Sequence, residues 1–152
     1  MNILIVLCGL PGSGKSTYAN YLTESGHFAC VSTDQVRKEL YGSENIQGNG
    51  KEVFTTAFKH LRTYGQFRNN CVFDATNITP RARRKVIQEC RKYYDLIICK
   101  YIDTSLDVCL QRNSQRERVV PKEVILRMYN NFTMPSREEG FDYVDTIISN
   151  PL

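Results

Sequence analysis

Eight residues, Gly9-Leu10-Pro11-Gly12-Ser13-Gly14-Lys15-Ser16, constrain this chain more than any other stretch. They follow directly on the apolar run Ile3–Cys8 and precede Thr17 to Glu24, which has no helix breaker before Gly26. The pattern G-x-x-x-x-G-K-[ST] carries meaning only between a strand and a helix, and both flanks are present. Glycines let successive backbone N–H groups turn inward toward phosphate oxygens, and the helix N-terminus adds partial positive charge at the same point. The pattern therefore predicts a nucleoside triphosphate site. Gly12, Ser13, Gly14, Lys15, Ser16 and Thr17 are its contact residues, with Lys15 on the β- and γ-phosphates and the Ser16 hydroxyl on Mg²⁺.

The strand-like runs Ile3–Cys8, Phe28–Ser32, Cys71–Phe73, Leu96–Ile102 and Val144–Ser149 alternate with helix-like stretches. Thr79-Pro80 predicts a helix start, with that helix reaching about Tyr93. Thr104-x-x-Asp107 reads as a capping box opening a helix to about Asn113, and Val120-Pro121-Lys122-Glu123 opens another to about Asn131. From Lys51 to Tyr64, Val53, Phe54, Ala57, Phe58 and Leu61 form a stripe at helical spacing, read as core packing. Strands apolar on both faces, alternating with helices, predict an open α/β fold with a parallel sheet and right-handed crossovers. Ser43 to Lys51 is the most loop-like stretch, either a mobile loop on the acceptor side or an ordinary surface loop.

In such sheets ligands bind at the carboxyl ends of the strands. The second strand ends at Ser32-Thr33-Asp34 and the third at Asp74-Ala75-Thr76-Asn77, so both aspartates share an edge with the phosphate loop. Phosphoryl transfer needs a carboxylate to take the acceptor's proton and oxygen groups around Mg²⁺. Asp34 alternatively caps the helix before Val36–Leu40, and Asp74 alternatively stabilises a turn. Arg37, one helical turn beyond Asp34, is placed to hold an acceptor phosphate or to be a solvated surface group. Arg112 and Arg116 at i and i+4 predict a helical lid whose arginines neutralise the transferring phosphoryl group. Arg118 reads more readily as solvated. Arg81, Arg83, Arg84 and Lys85 read either as a charged outer helix face or as a track for a polynucleotide backbone.

A length of 152 residues suits one domain burying roughly 70% of its unfolded surface. Net charge is +4, and the segment from Pro80 to Arg118 holds ten Lys/Arg against five Asp/Glu, which favours anionic ligands. No apolar stretch approaches a membrane span, and the first residues lack the features of a signal peptide. The six cysteines form no C-x-x-C pair, and neither His27 nor His60 lies near a cysteine pair. Buried, reduced thiols in a cytoplasmic protein are the expectation.

Gly-Leu-Pro-Gly-Ser-Gly-Lys-Ser-Thr at 9–17, Thr-Asp-Gln-Val-Arg at 33–37, Phe-Asp-Ala-Thr-Asn at 73–77, Arg-Asn-Ser-Gln-Arg at 112–116 and Val-Pro-Lys-Glu-Val-Ile-Leu-Arg-Met at 120–128 together resemble the P-loop polynucleotide 5′-hydroxyl kinases. The likeness is to the kinase domain of bacteriophage end-healing enzymes, within a broader group of small P-loop kinases. It implies the P-loop NTPase fold, with a central parallel sheet of about five strands flanked by helices and an arginine-bearing lid. It implies ATP or another triphosphate with Mg²⁺, and transfer of the γ-phosphate to a nucleic-acid 5′-hydroxyl. Asp34 is then the general base and Arg37 the clamp on the acceptor phosphate. Asp74 and Asn77 belong to the acceptor side, and Arg116, with Arg112, to the donor phosphates. No D-x-D-x-T phosphatase motif occurs, so residues 1–152 are expected to form one kinase domain, with any phosphatase or ligase on another chain. For a phage-encoded chain the location would be the host cytoplasm. Two other readings stay open. One is a kinase of nucleotides, other small molecules or modified bases in DNA; the other is an ATP-binding module without transfer. The absence of N-K-x-D counts against a GTPase-type switch.

Overall fold

The computed structural model describes residues 1–149, so residues 150–152 of the expected domain lie outside the described residues. Five strands, β1 (Ile3–Cys8), β2 (Phe28–Ser32), β3 (Asn70–Asp74), β4 (Leu96–Asp103) and β5 (Tyr143–Ile148), form one sheet in the order β2-β3-β1-β4-β5. Every pairing is parallel. Six helices connect and cover them: α1 (Lys15–Glu24), α2 (Thr33–Tyr41), α3 (Gly50–Gln66), α4 (Pro80–Cys90), α5 (Leu106–Ser114) and α6 (Lys122–Asn131). This is the P-loop NTPase architecture. Among the described residues, no helix is long and apolar enough to cross a membrane.

The central strand shows why the sequence has no polar alternation there. In β1, Leu4, Val6 and Cys8 join the larger core with Val53, Ala57 and Leu61 of α3 and Val86 of α4, while Ile5 and Leu7 face Ala19 of α1 on the opposite side. Both faces are covered, so an unbroken apolar run is what burial requires. The stripe on α3 is core, as its spacing indicated, and Phe54, Phe58 and Phe73 pack edge to face. β5 is one of the two outer strands and the more exposed of them.

The helix starts differ from expectation in instructive ways. Thr79 does cap α4, accepting from the Ala82 N–H. At α2, however, the cap is Ser32, whose hydroxyl accepts from the Gln35 N–H, and this leaves Asp34 inside the first turn. At α5 the cap is Ser105, not Thr104, because the Thr104 hydroxyl is drawn away to donate to the carbonyls of Ser13 and Ser149. α5 ends at Ser114, so Arg116 stands in the following turn and does not share a helix face with Arg112. α4 stops at Cys90 and tightens into a 3₁₀ turn at Arg91–Tyr93. The six cysteines are free thiols; five are buried and Cys30 is exposed, contrary to the expectation of burial.

The largest departure is Arg83. Its position in a run of basic residues suggested an outer face, yet the side chain is fully buried. Nε and Nη2 donate to Glu139 at 2.7 Å each, and Nη1 donates to the Asn77 carbonyl at 2.8 Å. A bidentate pair satisfies the charge, while the third bond pins the turn that follows β3. Truncating one partner of such a pair leaves the other charge buried. Arg83→Met should therefore lower unfolding free energy in urea by about 3–5 kcal/mol. Adding Glu139→Leu should recover part of that loss.

Candidate active site

The phosphate loop bridges β1 and α1, and its shape depends on what glycine lacks. Gly12 has φ of 82°, and a Cβ there would lie 2.4 Å from the Cys109 carbonyl oxygen of α5. The loop thus packs directly on the α5 backbone. Its inner face is held by Ser13, whose carbonyl accepts from Thr104 Oγ1 at 2.7 Å and Arg112 Nη1 at 3.3 Å. Ser13 itself does not line the cavity, contrary to expectation. Its side chain is buried and its N–H donates to Leu10 O at 3.1 Å.

Gly12, Gly14, Lys15, Ser16 and Thr17 all line a cavity of about 960 Å³ at the carboxyl edge of the sheet. Lys15 is buried, and Nζ donates to the Leu10 carbonyl at 2.8 Å. Burial pushes its pKa below the ordinary value, with Asp74 opposing the shift. Ser16 Oγ donates to Asp74 Oδ2 at 2.9 Å. Asp74 therefore meets the hydroxyl assigned to the metal, one of the two roles open to it from topology, whereas the resemblance put it on the acceptor side. Asn77 does not reach the cavity at all. It sits at φ of 45°, is buried, and donates from Nδ2 to Leu7 O at 2.8 Å, bracing the turn after β3.

Asp34 lies opposite the loop, accepts from Arg37 and Arg116, and is ion-paired with Arg118 as well. Arg37 Nη1 is 3.0 Å from Oδ1, Arg116 Nη2 is 3.2 Å from Oδ2, and Arg118 Nη1 is 3.5 Å from Oδ1. Arg37 is buried, not solvated, and its pKa is pushed down by that burial and by Arg118, with Asp34 opposing. Its Nε has no hydrogen-bond partner among the described residues. Arg118, expected to be the most solvated of its cluster, donates from Nε to Glu44 O at 3.0 Å and from Nη2 to Gln47 Oε1 at 2.8 Å. It thereby ties the 42–49 segment to the site, and Asn45 and Gln47 line the cavity.

Six basic side chains (Lys15, Arg37, Arg112, Arg116, Arg118 and Arg127) face two carboxylates, Asp34 and Asp74, around this cavity. An excess of positive charge in a concave, partly dry space suits a polyanion. Val119, Val120, Pro121, Val124 and Met128 form an apolar wall suited to a flat base. The 120–128 stretch helped carry the resemblance, but no site role was read in the sequence for that wall or for Arg127.

A sequence profile described as an AAA domain matches residues 4–135, from β1 to beyond α6. The chain belongs to this family. It is 28% identical to L-seryl-tRNA(Sec) kinase of Methanococcus maripaludis, covering 96% of this chain and 58% of that protein. The chain thus spans less than two thirds of that relative's length. A protein of the Pnkp1/Rnl/Hen1 RNA repair complex superposes with a TM-score of 0.75 at 23% identity, over 86% of this chain and 43% of that one. A gluconokinase from Sinorhizobium meliloti superposes with a TM-score of 0.66 at 16% identity, over 95% and 81%.

Two substitutions test the loop. Gly12→Ala should cost about 1–3 kcal/mol in urea unfolding, through backbone strain and the clash with α5, and should abolish ATP binding by calorimetry. Lys15→Met should also abolish ATP binding, yet raise unfolding free energy near neutral pH by about 1 kcal/mol, because a poorly solvated charge is removed. The native pKa of Lys15 lies below its unfolded 10.5, so the wild type gains stability as pH climbs between the two values. The advantage of Lys15→Met should accordingly shrink toward alkaline pH.

Proposed function

We propose that this chain is an ATP- and Mg²⁺-dependent kinase whose acceptor is a hydroxyl carried by nucleic acid, in the first place a polynucleotide 5′-hydroxyl. The observation that carries the reading is the pairing of Asp34 with Arg37 across one cavity from Lys15. A nucleotide switch has no need of a carboxylate and a buried arginine facing the γ-phosphate position. A transferase needs both, one to take a proton and one to hold an anionic acceptor.

Ser16 and Asp74 fit Mg²⁺, which takes few protein oxygens and completes its shell with phosphates and water. When bound, Mg²⁺ neutralises charge on the phosphates of the donor. Lys15 and Arg112 border the donor phosphates, and Arg116, beside Asp34 in the same cavity, neutralises charge on the transferring group. Asp34 accepts the proton of the acceptor hydroxyl as its oxygen bonds to the γ-phosphorus, the bond to the β–γ bridging oxygen breaks, and ADP leaves. Arg37 holds the acceptor's nearest phosphate. Its unpaired Nε, beside the hydrogen bond to Asp34, retains donor capacity for that task.

The likeness to L-seryl-tRNA(Sec) kinase supports a second reading, in which the hydroxyl belongs to an aminoacyl group on an RNA. The likeness to a member of an RNA repair complex supports the 5′-hydroxyl and an end-processing partner on a separate chain.

Labelled ATP offered with 5′-hydroxyl oligonucleotides, seryl-tRNA, nucleosides and gluconate separates these readings. Label at the 5′ end of the oligonucleotide is expected. Label on seryl-tRNA alone would favour the second reading, and label only on small molecules would remove nucleic acid from the account. Transfer to no acceptor, with ATP stably held, would leave a binding module. Asp34→Asn should slow transfer by about 10²–10⁴-fold while ATP affinity changes little.

A further inference from the structure

A second cavity, about 890 Å³, lies between α3 and α4. Phe54 lines both this cavity and the one holding the phosphate loop, so the two adjoin at that side chain. We propose that this groove carries the nucleic-acid strand running away from the acceptor hydroxyl. The inference rests on the nucleic-acid reading above and assigns a place to the part of the substrate that does not react.

The lining is basic. Lys51, Arg62, Arg81, Arg84 and Lys85 face a single carboxylate, Glu89. Glu89 is shared by Arg62 at 2.6 Å and Lys85 at 3.1 Å. Lys51, Arg81 and Arg84 are exposed and have no acidic partner among the described residues. Unpaired surface cations lining a concavity attract a polyanion without first breaking an ion pair.

The spacing favours a chain over a compact anion. Arg81, Arg84, Lys85 and Gln88 stand at i, i+3, i+4 and i+7 of α4, on one stripe. That stripe is about 10 Å long at the helical rise, the length of about three nucleotides at stacked spacing. Gly50 and Lys51 open α3, and Arg81 and Ala82 open α4, so two helix N-termini border the same groove. Asn49 and Thr79 already cap these N-termini, so what they offer a phosphate is their partial positive charge. Arg83, in the middle of the run, is withdrawn into its pair with Glu139, which leaves the stripe to its neighbours. An acidic polypeptide would satisfy the charge, but nothing would place it beside the transfer cavity. A substrate whose end enters that cavity must leave it by some wall.

The test compares two acceptors with Arg81→Glu/Arg84→Glu: a 5′-hydroxyl oligonucleotide of about ten nucleotides, and a nucleoside 3′-monophosphate that is too short to enter the groove. The ratio of kcat/KM, long over short, should fall about tenfold or more. The slope of log kcat/KM against log salt for the long acceptor should flatten by about 1.4, two contacts at about 0.7 each for a single strand. Thermal unfolding confirms that the variant is folded. Lys51→Glu, on the opposite helix, should shift both readouts in the same direction and stands in if the double variant does not fold. An unchanged ratio and slope, with the oligonucleotide still phosphorylated, would overturn the groove assignment alone and leave the surface to an acidic polypeptide. An equal loss with both acceptors would overturn it too. No phosphorylation of oligonucleotides or seryl-tRNA by the wild type would overturn the functional reading, and this inference with it.

Discussion

The contact between the phosphate loop and the backbone of α5 sets the geometry of everything around it. At Gly12 there is no room for a methyl group between the loop and the Cys109 carbonyl. This closeness lets Ser13 present its carbonyl to both Thr104 and Arg112, so one buried acceptor links β1, the end of β4 and α5. A basic residue on the third element is thereby delivered to the mouth of the loop. The loop is less a separate binding module than the keystone between the central strand and the helix beyond it.

Across the cavity the logic is electrostatic. Asp34 is surrounded by Arg37, Arg116 and Arg118, and none of the three is an incidental surface pair. Arg37 is fixed by burial, Arg118 by the carbonyl of Glu44 and the amide of Gln47, and Arg116 stands in a short turn after α5. Arg116 has Asp34 as its side-chain partner and lies within the same cavity as the phosphate loop. Such an arrangement fixes the position of the carboxylate and surrounds it with positive charge.

Much of this was legible in the residues. β1 and β2 lie within the expected limits, because apolar runs flanked by Gly-rich loop or capping residues leave little freedom. The placement of Asp34 and Asp74 at the loop's edge followed from parallel topology alone. What was hidden depended on distant partners. Arg83 is buried because Glu139, far along the chain, meets it, and neither residue announces the other in sequence. Arg118 looked solvated for the same reason, since its acceptors sit in a loop with no pattern of its own. Thr104 resembled a cap until Ser13 competed for its hydroxyl, and Ser105 took the vacancy. Asn77 belonged to a recognisable motif, yet its amide serves the Leu7 carbonyl and not a ligand. Motif membership indicated proximity to the site; it did not indicate which way a side chain would turn.

The fastening of the 42–49 segment by Arg118 has a kinetic consequence. Two hydrogen bonds from the Arg118 guanidinium and one from the Asn49 N–H to Tyr41 Oη hold the segment at the cavity, while the sheet beneath is secured by ladder bonds and a buried apolar core. Opening is then a local event, costing a small fraction of the free energy that melts the sheet. The segment that brings Asn45 and Gln47 to the cavity can thus loosen without disturbing the sheet that carries the phosphate loop.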